Sequence, residues 1–177
     1  MKIKKTINIK NPIISMKILD DKSLVVVDSK TTIRFYNKDD LVLINGFKLN
    51  INHIHFRSDV IAFSGNGEYF CTKSPDSKEA RLYNATSKKI ITRVDRHHGD
   101  VSCVAIDPYN RYMFSCGEDG KTFAIDVKNS KLSFTPPLHI DTINDIKFSP
   151  NGNWLAIASY DKKISLYNLA MMSSRPK

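Results

Sequence analysis

Cysteine is scarce in this chain of 177 residues, and the three present, Cys71, Cys103 and Cys116, form no Cys-x-x-Cys motif and no Cys/His cluster. An odd number at these spacings argues against a disulfide scaffold and against structural zinc, and leaves buried reduced thiols as the expectation. Long apolar runs are missing as well. The longest, such as LVLI at 41–44 and WLAIA at 154–158, fall far short of the ~20 residues that span a bilayer. The start, MKIKKTINIKNPII, carries positive charge but alternates polar and apolar residues where a signal peptide needs an unbroken apolar stretch. A cytoplasmic protein with no membrane partner is therefore expected. Despite a net charge of +9, no run of five or more basic residues occurs, and the lysines stand singly or in pairs such as Lys88 with Lys89. That distribution reads as a solvated surface, while the overall charge keeps nucleic acid as an alternative partner. The Gly-Asn-Gly at 65–67 lacks the helix that would follow a phosphate-binding loop, and His53 and His55 have no third ligand nearby. No cofactor and no metal are expected.

What the chain does have is alternation. With 41% apolar and 25% charged residues it falls among ordinary globular proteins, and most segments alternate with period two between turn-forming residues, which argues for short antiparallel strands. Two stretches also superpose at a spacing of 42: His97 to Asp119 is 22 positions, and so is His139 to Asp161. Each copy supplies three strands, VSCVAI, YMFSCG and KTFAID in one and INDIKFS, WLAIAS and KISLYN in the other, separated by turns at DPYNR and EDG or at PNGN and YDK. Weaker copies precede them and end at Asn37 and Asn84, against Asp126 and Asn168. Between these ends lie LVLINGF, KKIITRV and KLSFTPP, each able to supply a fourth strand. A repeat of this length signals units that bury their apolar faces only by stacking on neighbours.

The order HxGDV or HxDTI, a DPYN or SPNG turn, an apolar strand, then Asp and, six residues on, an aromatic-Asn (Ile125-Asp126 in the third unit) resembles the WD40 repeat. No unit keeps the terminal tryptophan; Tyr36, Tyr83, Ile125 and Tyr167 stand there, and Arg96 and Leu138 replace the glycine before each histidine. The resemblance implies an all-β, WD40-like β-propeller of about four four-stranded antiparallel blades. The whole of 1–177 is read as one repeat domain, with units at approximately 11–44, 51–94, 97–137 and 139–170.

His97, Ser115 and Asp119 are the residue types of a nucleophilic triad, which raises a hydrolase as one reading. Within the WD40 pattern the same positions form a structural hydrogen-bond network: the aspartate fixes the histidine, which reaches the serine. The second copy keeps His139 and Asp161 but has Ile157 where the first has Ser115, so a loop clamp survives there and a nucleophile does not. The structural reading is preferred. Replacing Asp119 by alanine is then expected to leave His97 unpaired and to cost about 1–3 kcal/mol, visible as a lowered melting temperature; an unchanged melt would remove the clamp. Trp154 follows the NGN turn and is expected to pack at a blade edge rather than to stack a base.

Blades with strands of about five residues have faces on the order of 300 Å². Leaving one wet forfeits up to ~8 kcal/mol at about 25 cal/mol per Å². Three arrangements would cover the end faces. The N-terminal segment KKTINI could add a strand to the last blade, two chains could assemble head to tail as a dimer, or C-terminal blades could lie beyond this sequence; the last is preferred. The expected function is non-catalytic: a scaffold presenting loops to a protein or peptide partner, at DRHHGD (95–100), HIDT (139–142), PDSK (75–78), GEDG (117–120) and SYDKK (159–163). Arg96, His98, Tyr160 and Lys162 are the candidate partner contacts. A basic nucleic-acid-binding propeller is the alternative.

Overall fold

Alternation of apolar and polar residues produces strands throughout. The computed structural model describes residues 5–19, 22–49 and 61–170, and within them there are fifteen strands and no helix. No helix among the described residues is long and apolar enough to cross a membrane. The chain divides into two compact units, Met1–Ser58 and Asp59–Lys177.

Unit 1 is one antiparallel sheet in the order β1 (Ile13–Leu19), β2 (Ser23–Asp28), β3 (Thr32–Asn37), β4 (Leu43–Lys48). Although its sequence landmarks are the most degenerate, it has all four strands. Its β2–β3 turn is organised by Asp28, whose buried carboxylate accepts hydrogen bonds from the backbone of Lys30 (2.9 Å) and Thr32 (3.0 Å), from Asn11 Nδ2 (2.9 Å) and from the Arg34 guanidinium (2.8 Å). Residues 5–12, the described part of the segment that could add a strand to the last blade, pair with no strand. Instead Asn11 ties this segment to Asp28, and Ser29 N–H donates to the Pro12 carbonyl (2.8 Å), so side-chain and turn contacts replace a ladder.

Unit 2 holds three sheets. The second sheet of the chain comprises β5 (Ile61–Phe63), β6 (Tyr69–Lys73), β7 (Ala80–Asn84) and β8 (Ile90–Val94). The third comprises β9 (Val101–Ile106), β10 (Tyr112–Gly117), β11 (Thr122–Asp126) and β12 (Leu132–Phe134). The fourth has three strands among the described residues, β13 (Ile143–Phe148), β14 (Trp154–Ser159) and β15 (Ile164–Asn168). The spacing of 42 seen in the sequence recurs in the bounds of β9 and β13, β10 and β14, and β11 and β15.

Because successive residues of a strand face opposite ways, each strand of the third sheet serves two apolar layers. Val104, Ile106, Met113 and Ile125 pack with Cys71, Ala80 and Leu82 of the second sheet. Cys103, Phe114, Cys116 and Ala124 pack with Ile143, Ile146, Leu155 and Ile157 of the fourth. The Phe114 ring meets Phe134 and Phe148 edge-on, at centroid distances of 5.6 and 5.4 Å. All three cysteines are buried and reduced, and burial holds the Cys116 thiol well above its ordinary pKa. Trp154 opens β14 with 41% of its surface exposed.

The tight turns repeat as well. Gly120 has φ +69° in the β10–β11 turn, and 42 positions on Lys162 has φ +68° in the β14–β15 turn. The left-handed region suits glycine and strains a residue with a Cβ. Lys162→Gly is therefore expected to stabilise the protein by about 1 kcal/mol and to raise its melting temperature by roughly 2–4 °C; a lowered melting temperature would show that the lysine stem contributes more than the turn strains.

Candidate functional site

Antiparallel connectivity brings to one end of unit 2 the loops before β9 and β13 and the turns β6–β7, β10–β11 and β14–β15. Backbone hydrogen bonds join them in series. Val101 N–H donates to the Ser77 carbonyl (2.7 Å), Glu118 N–H to Asp100 (2.9 Å), His139 N–H to Gly120 (3.0 Å), and Tyr160 N–H to Thr142 (2.9 Å). Lys78 Nζ adds an ion pair to Asp100 (2.8 Å). The five loops singled out in the sequence thus form one continuous rim.

Beneath the rim lie two histidine clamps. The His97 side chain is fully buried, with Nδ1 3.0 Å from Asp119 Oδ1 and Nε2 2.5 Å from Ser115 Oγ. Since the carboxylate only accepts, Nδ1–H donates to Asp119 and Nε2 accepts the serine hydroxyl. The other carboxylate oxygen, Asp119 Oδ2, accepts from His98 N–H (2.9 Å), and Oδ1 also accepts from Lys121 N–H (3.2 Å). The Phe123 ring meets the imidazole edge-on at 4.8 Å. Asp119 therefore binds the loop before β9 to the turn before β11. In the next copy His139 Nδ1 lies 2.8 Å from Asp161 Oδ2, and Asp161 accepts from the backbone of Ile140 (3.3 Å) and Lys163 (3.0 Å). With Ile157 in place of a serine, His139 Nε2 has no hydrogen-bond partner among the described residues.

Burial lowers the pKa of His97 below its ordinary 6.5, against the opposing pull of Asp119. Burial also works to raise the pKa of Asp119, but His98 N–H, His97 and Lys121 N–H outweigh it and hold the carboxyl low. A histidine depressed in the folded state binds fewer protons than in the unfolded chain, so its contribution is complete above 6.5 and is lost as pH falls below that value. The melting temperature is expected to fall on acidification below about pH 6.5, and His97→Ala to flatten this segment of the profile. An equally steep variant would exclude His97 as its source.

The geometry bears directly on chemistry. A nucleophile must face a substrate, whereas the Ser115 side chain is sealed between sheets with no accessible surface, and both faces of the His97 hydrogen-bonding edge are already used. Among the described residues no three His, Cys, Asp or Glu side chains converge to hold a metal ion. His53 and His55 lie outside the described residues. Arg96, His98, Tyr160 and Lys162 are all exposed on the rim. The first two flank His97, and the last two flank Asp161, so each pair is mounted on a clamp.

At the opposite end of the sheets is an arrangement that the sequence reading missed. The Arg111 guanidinium forks onto the buried Asp107 carboxylate through Nε (2.9 Å) and Nη2 (2.8 Å), and Nη2 also donates to the Gly152 carbonyl (2.9 Å). This joins the β9–β10 turn to the β13–β14 turn. The Asp and Arg four apart in DPYNR were a visible signal, but the bond to Gly152 depends on how neighbouring sheets stack.

The description "WD domain, G-beta repeat" applies to the family model that matches residues 88–124 and 130–168, stretches that contain both clamps. The chain is 31% identical over 87 residues to the small ribosomal subunit protein RACK1y of Oryza sativa subsp. japonica, covering 48% of this chain and 25% of that protein. It is 25% identical over 115 residues to eukaryotic translation initiation factor 3 subunit I of Vanderwaltozyma polyspora, covering 64% and 33%. It is 26% identical over 117 residues to DDB1- and CUL4-associated factor 5 of Homo sapiens, covering 63% and 12%. The matched stretch spans at most a third of the length of these three relatives.

Proposed function

This is a WD40-repeat chain, and on that premise we propose that it is a non-catalytic interaction module that binds a protein or peptide partner in the cytoplasm. The observation that carries this reading is the rim itself: exposed Arg96, His98, Tyr160 and Lys162 sit on loops locked by buried histidine–aspartate pairs. Locked loops lose little entropy on binding, so their side chains bind with most of their intrinsic affinity. An aromatic and an arginine among mixed charges is the composition of a protein-binding hot spot. His97, Ser115, Asp119, His139 and Asp161 have the structural role of holding that rim. The relatives' names fit, since each describes a component of a larger assembly: a ribosomal subunit protein, an initiation-factor subunit, and a factor associated with two other proteins.

Nucleic acid is the weaker reading despite the +9 charge. The rim interleaves Asp95, Asp100, Glu118 and Asp141 with its basic residues, which opposes a polyanion. The test is capture of proteins from extract on the immobilised chain and on an Arg96→Ala/Tyr160→Ala variant, with and without nuclease. A bound protein that survives nuclease and falls at least tenfold with the variant is expected. Capture that is abolished by nuclease, or is indifferent to the variant, would overturn the reading.

A further inference from the structure

Three Asn-Gly dipeptides occur in the chain, at 45–46, 66–67 and 151–152, and the fold sets one of them apart. A glycine has no Cβ to shield its nitrogen, so each dipeptide is a place where the main chain can react with the carboxamide beside it. Two lie in tight turns, β5–β6 and β13–β14, with their glycines at φ +71° and +60°. There Gly67 N–H donates to the Ser64 carbonyl (3.3 Å) and Gly152 N–H to the Ser149 carbonyl (2.9 Å). The asparagine oxygens are engaged elsewhere: Asn66 Oδ1 accepts from Ser64 Oγ (2.8 Å) and Glu68 N–H (3.1 Å), and Asn151 Oδ1 from Ser149 Oγ (2.7 Å) and Asn153 N–H (3.2 Å).

Asn45 and Gly46 lie instead within β4, which among the described strands pairs with β3 alone. Leu49 N–H donates to the Thr31 carbonyl (3.0 Å). Because hydrogen-bonded and non-hydrogen-bonded pairs alternate along an antiparallel ladder, the placing of Gly46 opposite Arg34 turns the Gly46 N–H away from β3. It donates to its own neighbour, Asn45 Oδ1, at 2.7 Å. Asn45 Cγ is one bond beyond that oxygen, so the carboxamide is folded against the nitrogen that can attack it, and rotation about Cβ–Cγ brings the two into line. The ladder is also interrupted here. Phe35 faces Asn45 while Tyr36 faces Leu43, which leaves Ile44 as the extra residue of a bulge where ring closure has to bend the backbone.

We propose that Asn45 is a modification site, converting spontaneously to aspartate and isoaspartate in the folded protein. Hydroxide takes the Gly46 N–H proton, the nitrogen bonds to Asn45 Cγ, and the Cγ–Nδ2 bond breaks as Nδ2 takes a proton from water and leaves as ammonia. Water then opens the succinimide ring at one of its two carbonyls. Cleavage of the new N–Cγ bond leaves aspartate; cleavage of the former peptide bond to Gly46 leaves isoaspartate, with the main chain running through Cγ. Isoaspartate thus adds a backbone atom to β4 ahead of Phe47. Phe47 is buried, faces Ile33 across the ladder and stacks on Phe35 at 6.3 Å, so the added length moves it out of register and weakens the β3–β4 pairing. Every reacting group belongs to unit 1, and none lies on the rim.

The test is peptide mapping by mass spectrometry after incubation of the 177-residue chain at mildly alkaline pH, folded and in urea. In the folded protein Asn45 is expected to convert about tenfold or more faster than Asn66 and Asn151, and in urea the three rates to converge, because orientation supplies the difference. A folded chain in which Asn45 converts no faster than the other two would overturn the proposal. So would a preference for Asn45 that persists in urea, which would place it in the local sequence. An Asn45→Gln variant, whose side chain must close a larger ring, is expected to lose the isoaspartate while keeping the circular dichroism of the parent; isoaspartate formed in it at the parent's rate would equally overturn the assignment.

Discussion

Replacing Gly117 by alanine is expected to cost about 4 kcal/mol and to lower the melting temperature of the protein on the order of 10 °C. A Cβ at this position would lie within contact distance of both His97 Nδ1 and Asp119 Oδ1, inside the bond that holds the loop before β9. Because the Cβ overlaps both atoms, relief requires both moving the imidazole away from Ser115 and giving up the Asp119 bond. The first overpacks a sealed site, at roughly 1–3 kcal/mol; the second leaves a buried polar group unpaired, at a similar cost. Urea unfolding of the variant measures the sum, and a Gly117→Ala midpoint equal to that of the parent would show that the clamp is not rigid. On a His97→Ala background the same substitution should cost much less, because its clash partner is gone, and the non-additivity assigns the effect to this pair.

Asp28→Ala is the second large effect, at about 3 kcal/mol, confined to unit 1. The change strands Asn11, Arg34 and two backbone N–H groups at once. Asp28→Asn retains an acceptor for the Lys30 and Thr32 N–H groups but sets an NH2 donor against Asn11 Nδ2 and the Arg34 guanidinium, so about 2 kcal/mol is expected. Burial works to raise the Asp28 pKa, but Asn11, Arg34 and the Thr32 and Lys30 N–H groups bring it down to about 2. The sign follows: a carboxylate held low in the folded state contributes fully above its ordinary 3.8 and loses that contribution as pH falls towards 2. Denaturant midpoints of parent and Asp28→Ala should converge over that interval. A constant difference would place the effect in packing rather than in charge.

Strand content was legible because alternation with period two is a local property, and so were the turn positions, which Pro108, Asn110, Gly120 and Gly152 mark one by one. The pairing of His97 with Asp119 was legible for a different reason: the copy at 139 and 161 repeats both residues at the same separation. Alternation in 4–9 left a strand open as one of three arrangements, because it is equally compatible with a chain tethered by Asn11 to Asp28. Arg111 on Gly152 left no trace, since its acceptor is a backbone carbonyl that any residue supplies.

The sequence by itself determined the strands, the spacing of 42 and the chemistry of the clamps, all of which are written in residue types at fixed separations along the chain. Tertiary structure decided which faces are covered. Thr122 and Ile164 occupy equivalent positions, yet the first is buried and the second is open to solvent. Burial of a sheet face is fixed by the sheet that stacks on it, and that neighbour is a partner in space that no local pattern can name.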